Sequence, residues 1–196
     1  MAILKNFISF ADSFSRAPVQ AAADAAERPS AGLGFSGYAL GALSMALWSQ
    51  LLWGESGGLL HTLDLALLLM VCNILAALLC AGLSNLFLEF SGARGRSLGL
   101  FVIFGLSEGM KTLLIPAALV LMAFGAAGFA PFLLIAVLAA QLACAIGLMA
   151  RVYRVTRFQA FMALAFPGML AFLIVFLSFS VFVVWALTGL KTAMPV

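Results

Sequence analysis

The chain has 196 residues, 65% of them hydrophobic and 9% charged, against about 25% charged in an ordinary soluble domain. Its mean hydropathy of +1.21 excludes a water-soluble globule, whose surface such a composition would coat with apolar groups, and makes lipid the solvent. A net charge of +3, with basic residues held in short loops and the N-terminal arm, leaves no footprint for nucleic acid.

Residues 1–16, MAILKNFISFADSFSR, place Ile3, Phe7, Phe10 and Phe14 at helical spacing, with Lys5, Asp12 and Arg16 largely opposite. That pattern predicts an N-terminal amphipathic helix, either lying in the membrane interface or packed on the protein's own helices. It lacks the continuous apolar core and small-residue cleavage site of a signal peptide, so it is expected to stay in the mature protein. Residues 17–31, APVQAAADAAERPSA, read as a short polar connector with one helical turn, ended near Pro29.

Five apolar segments follow, over residues 33–53, 59–88, 98–124, 130–150 and 160–189, each long enough for a hydrocarbon core that takes about 20 residues to cross. None alternates with period two as a membrane barrel strand does, and backbone groups in lipid must be satisfied within the segment. The fold expected is all-α: a polytopic bundle of five transmembrane helices over residues 32–196, preceded by a cytoplasmic arm and linker over 1–31.

Lys5, Arg16 and Arg28 precede the first span, Arg94 and Arg96 lie between the second and third, and Arg151, Arg154 and Arg157 between the fourth and fifth. The other two connections, GES at 54–56 and GAAGFAP at 125–131, carry no Lys or Arg. The positive-inside rule then predicts a cytoplasmic N-terminus and a C-terminus outside. Trp48, Trp53 and Trp185 fall at the outer ends of the first and fifth spans, where interfacial tryptophans are expected. The basic loops set topology, and at the inner headgroup layer each arginine contributes up to about 1 kcal/mol towards anionic lipid.

Small residues recur at helix-packing spacing: Gly37 and Gly41, Gly105 and Gly109, then Ala139, Ala143 and Gly147. They are read as contacts inside the bundle, with a dimer face as the alternative. Pro116 and Pro167 are expected to bend their helices, while Pro131 suits a first helical turn.

Glu108 and Lys111 are the polar residues that most need a reason. They stand three apart, so they share a helix face, about 15 Å into the third span. An isolated charge at that depth costs about 2.5–3.5 kcal/mol. One reading makes them a self-neutralising pair turned into the bundle; the other makes them the lining of a polar cavity, a site for a lipid headgroup or a proton path, with Asn73 or Gln141 beside them in the case of a pathway. Asn73, Asn85 and Gln141 otherwise read as interhelical hydrogen-bond glue, and Glu89 as the partner of Arg94 or Arg96. Cys72, Cys80 and Cys144 are packing residues. His61, Asp64 and Glu55 have no metal-site spacing, so no metal or cofactor is expected. No nucleophile with a positioned base, phosphate loop or dinucleotide fingerprint is present, which argues against an enzyme.

Three stretches resemble bacterial members of the Yip1 family of five-pass membrane proteins: FLEFSGARGRSLGLF (87–101), GLSEGMKTLLIP (105–116) and YRVTRFQAFMALAFP (153–167). The resemblance spans roughly residues 60–190 and implies a multi-pass protein with a cytoplasmic N-terminus and no chemistry of its own. The eukaryotic family is tied to membrane trafficking and small GTPases, but its DLYGP-like stretch has no counterpart before the first span here, so no GTPase partner is implied. The function expected is a scaffold or accessory subunit that works by assembling with other membrane proteins or with itself. The alternative is a small permease or channel subunit with Glu108 and Lys111 lining its path.

Overall fold

A computed structural model describes residues 18–53, 58–93 and 96–193. Every regular element among them is helical, and five helices are long and apolar enough to cross a membrane. The amphipathic helix expected over residues 1–16 lies outside the described residues.

The connector that follows it is a ten-residue helix, α1 (Pro18–Glu27), rather than a turn. Alanine is the strongest helix former, and Pro18 opens the first turn, where its missing N–H costs nothing. Ala21, Ala22, Ala25 and Ala26 lie on one face and are all buried, so α1 sits flat against the bundle. Two alanine pairs spaced four apart were the signal that a polar reading of this stretch passed over. The helix ends at Glu27, ahead of Pro29 as expected.

The first two spans are α2 (Ala31–Trp53) and α3 (Gly58–Phe90). The third is broken into α4 (Ser97–Glu108), a 3-10 stretch (Gly109–Leu113) and α5 (Leu114–Ala123). The fourth is α6 (Ala130–Val152) and the fifth α7 (Arg157–Ala193). With 33 residues α3 is about 50 Å long, well beyond a hydrocarbon core of about 30 Å, so it tilts or projects.

α4 is the axis of the bundle. Every residue from Gly99 to Gly105 is buried, because α1, α2, α3 and α6 all pack on it. A helix apolar on every side belongs in such a place. Its closest neighbour is α2. A Cβ at Gly37 would fall on the Gly105 carbonyl, one at Gly41 would come within 2.7 Å of the Glu108 carbonyl, and one at Gly105 would meet the Gly34 backbone at 2.5–3.0 Å. In lipid, where apolar faces gain nothing by leaving the solvent, such backbone approach is what holds helices together. Ala139, Ala143 and Gly147, by contrast, are exposed on α6, so the internal packing expected of them is not what they do.

The two span prolines are accommodated differently. Pro116 cannot donate to the Thr112 carbonyl, and the backbone just before it tightens into the 3-10 stretch. At Pro167 the helix continues, and the carbonyl that the proline leaves open, on Ala163, accepts the buried Ser84 hydroxyl of α3 at 2.8 Å. Ser84→Ala is therefore expected to lower stability by about 1–3 kcal/mol, although it removes one oxygen only. Thermal unfolding in detergent measures it, and an unchanged melting temperature would dismiss the role.

Trp48 is fully buried against Leu114, Ala118, Ala130 and Val137, so it packs in the bundle rather than anchoring at the interface. Small alanines on α5 and α6 make room for the indole. The side chains of Trp53 and Trp185 lie outside the described set.

The α6–α7 connection is tightly made. Val155 N–H bonds the Ala150 carbonyl across Arg154, which takes a left-handed φ of 53°. Thr156 then caps α7 reciprocally with Gln159: the Gln159 N–H donates to the threonine hydroxyl at 3.2 Å, and the Thr156 N–H to the glutamine oxygen at 2.9 Å. The sequence TRFQ carries this capping box openly.

Candidate functional site

The 3-10 stretch creates the site. In a 3-10 turn, residues three apart eclipse one another, so Lys111 stands over Glu108 and its ammonium lies 2.7 Å from the carboxylate Oε2. Pro116, downstream, is the local reason for that winding.

Two further helices close on the same carboxylate. Gln141 of α6 donates its amide to Oε1 at 2.6 Å, and Asn73 of α3 donates to Oε2 at 3.3 Å. Gly41 of α2 clears the fourth side: a Cβ there would sit 3.1 Å from Oε2. Both oxygens of Glu108 are thus occupied by donors of its own chain. The Lys111 and Glu108 side chains retain only 12% and 13% of their exposure. Buried carboxylates are tolerable when paired and hydrogen-bonded in this way.

A cavity of about 310 Å³ adjoins the cluster, lined by Tyr38, Asn73, Cys80, Ser107, Glu108, Lys111 and Gln141 among apolar side chains. Its rim residues Ala76, Leu138 and Leu142 are exposed, so it opens sideways between α3 and α6. The hydroxyls near it are engaged: Tyr38 donates to the Phe101 carbonyl at 3.0 Å and Ser107 to the Phe104 carbonyl at 2.8 Å. What the arrangement can do is join three spans and neutralise one charge; no base is placed beside a nucleophile among these residues.

The other residues singled out from the sequence are dispersed or lie at one end of the bundle. Asn85 donates to Glu89 at 2.7 Å near the end of α3. No Glu89–Arg96 ion pair occurs among the described residues, and Arg94 and Glu55 lie outside them. Arg96, Arg151, Arg154 and Arg157 are exposed. Tyr153, which the sequence reading passed over apart from its place in the loop, ties two of these connections together: its hydroxyl donates to the Arg96 carbonyl at 2.8 Å. Burial pushes that phenol up to about 12, partly opposed by Arg96, so it remains a donor throughout the physiological range. Gly99 leaves the space it needs, since a Cβ there would come within 2.7 Å of the hydroxyl.

Among the described residues the architecture is a bundle with five helices long and apolar enough to cross a membrane and a polar cluster between them. Comparison of the chain with protein-family models, curated proteins and solved structures gives no match.

Proposed function

We propose that this chain is an integral membrane scaffold or accessory subunit, with no chemistry of its own, that acts by assembling with other membrane proteins or with further copies of itself. The observation that carries the reading is the saturation of Glu108, whose two oxygens accept from Lys111, Gln141 and Asn73. A charge so engaged fixes helices; a transport site keeps ligand valences open for its cargo. The outward small residues Ala139, Ala143 and Gly147 of α6 give a partner helix room to approach. The Yip1-like stretches and the alternation of basic and uncharged loops extend the proposal to a bacterial inner membrane, N-terminus cytoplasmic and C-terminus periplasmic.

A second reading, a small permease or channel subunit, draws on the cavity beside the pair and on the helix broken before Pro116. Two measurements separate them. The scaffold reading expects membrane-protein partners or a defined oligomer to persist through purification in mild detergent, and no flux above protein-free liposomes after reconstitution. Ion conductance or solute flux that disappears in the Glu108→Gln, Lys111→Met double variant would replace it with the permease.

A further inference from the structure

Three arginines that the sequence scatters over separate connections meet at one end of the bundle. Arg28 follows α1, Arg96 precedes α4, and Arg154 lies between α6 and α7. Together with Glu27, Tyr153 and Val152 they line a polar cavity of about 620 Å³. Three guanidinium groups against one carboxylate leave the lining at +2. None of the three arginines has an ion-pair partner among the described residues.

The surrounding structure fixes this meeting. Ala26 packs over Gly99, bringing the end of α1 to the start of α4, and the Tyr153 hydroxyl holds the Arg96 carbonyl at 2.8 Å. The backbone under Arg154 is pinned on one side by the Val155-to-Ala150 bond and on the other by the Thr156–Gln159 capping box.

Arg154 itself supplies an independent observation. The ends of α3 and α5 share with α6 the bond that spans the left-handed residue, Ala93 N–H to the Leu88 carbonyl and Ala126 N–H to the Leu121 carbonyl, and there the left-handed position is filled by Gly92 (φ 81°) and Gly125 (φ 64°). At the third such end an arginine takes the glycine's place, in a conformation that disfavours any side chain. The arginine thus carries a conformational cost there that glycine would not, and the bonds on either side of it hold it in place.

We infer that this cavity is a binding site for a phosphate group. Guanidinium forks match phosphate oxygens two at a time, and three arginines on one lining suit a doubly coordinated phosphodiester. Glu27 adds an acceptor for a neighbouring hydroxyl, so a polyol phosphate, as in the headgroup of phosphatidylglycerol, satisfies both kinds of group. The cavity lies where the candidate spans end, the level at which a bilayer crossed by them would place its headgroups. The inference needs the membrane fold but not the scaffold reading, and survives if the protein proves to be a permease.

The test uses the full chain purified in detergent and read by native mass spectrometry and by thermal unfolding, titrated with phosphatidylglycerol, phosphatidylcholine or inorganic phosphate. The expected result is saturable binding of phosphatidylglycerol and not of phosphatidylcholine, weakened about fivefold or more by Arg154→Gly and again by Arg28→Gln. Arg154→Gly relieves the left-handed strain, so it is expected to melt no lower than wild type while losing affinity; lost binding from misfolding would instead lower the melting temperature. Millimolar inorganic phosphate that displaces the lipid would assign the site to a soluble phosphate, and failure to displace it would assign it to the lipid headgroup. Arg151→Gln removes the same charge from a side chain outside the cavity. Equal losses in Arg151→Gln and Arg154→Gly, or equal binding of the two lipids, would overturn the site in favour of a diffuse surface potential.

Discussion

Gly105→Ala, the addition of one methyl group, is expected to be among the most damaging single changes in the protein. The new Cβ would lie 2.5–3.0 Å from the backbone of Gly34, which cannot turn aside as a flexible side chain can. α2 and α4 must separate, and with them goes the closest contact in the bundle. A loss of about 3 kcal/mol or more is expected, at or above the upper range for overpacking, because backbone meets backbone. Gly82→Ala on α3 is the matched control: its Cβ would enter open space, and alanine is the better helix former by about 0.5–1 kcal/mol. Thermal unfolding of the two variants in the same detergent measures the difference. Equal melting temperatures would show that the α2–α4 contact does not hold the bundle together.

The second large effect belongs to Glu108 and Lys111. Lys111→Met leaves a carboxylate with two amide donors but no counter-charge, and Glu108→Gln leaves a buried ammonium facing a neutral amide. Breaking a buried pair by removing one partner costs about 3–5 kcal/mol, chiefly through the charge left behind. Removing both charges together avoids that penalty, so the double variant is expected to be more stable than either single one. A double-mutant cycle on unfolding free energies should return a coupling of about 2 kcal/mol or more. Additive losses would mean that the two charges do not compensate one another, and the structural account of the pair would fail. Gln141→Leu is expected to be milder, since its own Oε1 is already buried without a partner and the substitution removes that burden along with the bond to Glu108.

The spans, the polar pair and the helix-packing glycines of α2 were legible because each depends on residues near one another in the chain. About 20 apolar residues in a row identify a span whatever surrounds them. Glu108 and Lys111 share a face by spacing alone, and Gly37 with Gly41 marks a close approach without saying what approaches. The α6–α7 capping box was equally local and was there to be read in TRFQ. The helical nature of α1 was visible too, in its paired alanines, but polar neighbours such as Asp24 and Glu27 disguised it.

What the tertiary structure alone decided is which face meets which. In water, an apolar stripe names the buried side of a helix; in lipid, both sides are apolar and the stripe vanishes. So nothing in the sequence distinguished Gly105, sealed against Gly34, from Gly147, facing outward, or placed Trp48 inside rather than at the interface. Asn73 and Gln141 could be named as company for Glu108, but their arrival from 35 and 33 residues away at the same carboxylate is a fact of packing. The same holds for Arg28, Arg96 and Arg154. The sequence places them on three separate connections, and only the packing of α1, α4 and α6 put them around one cavity.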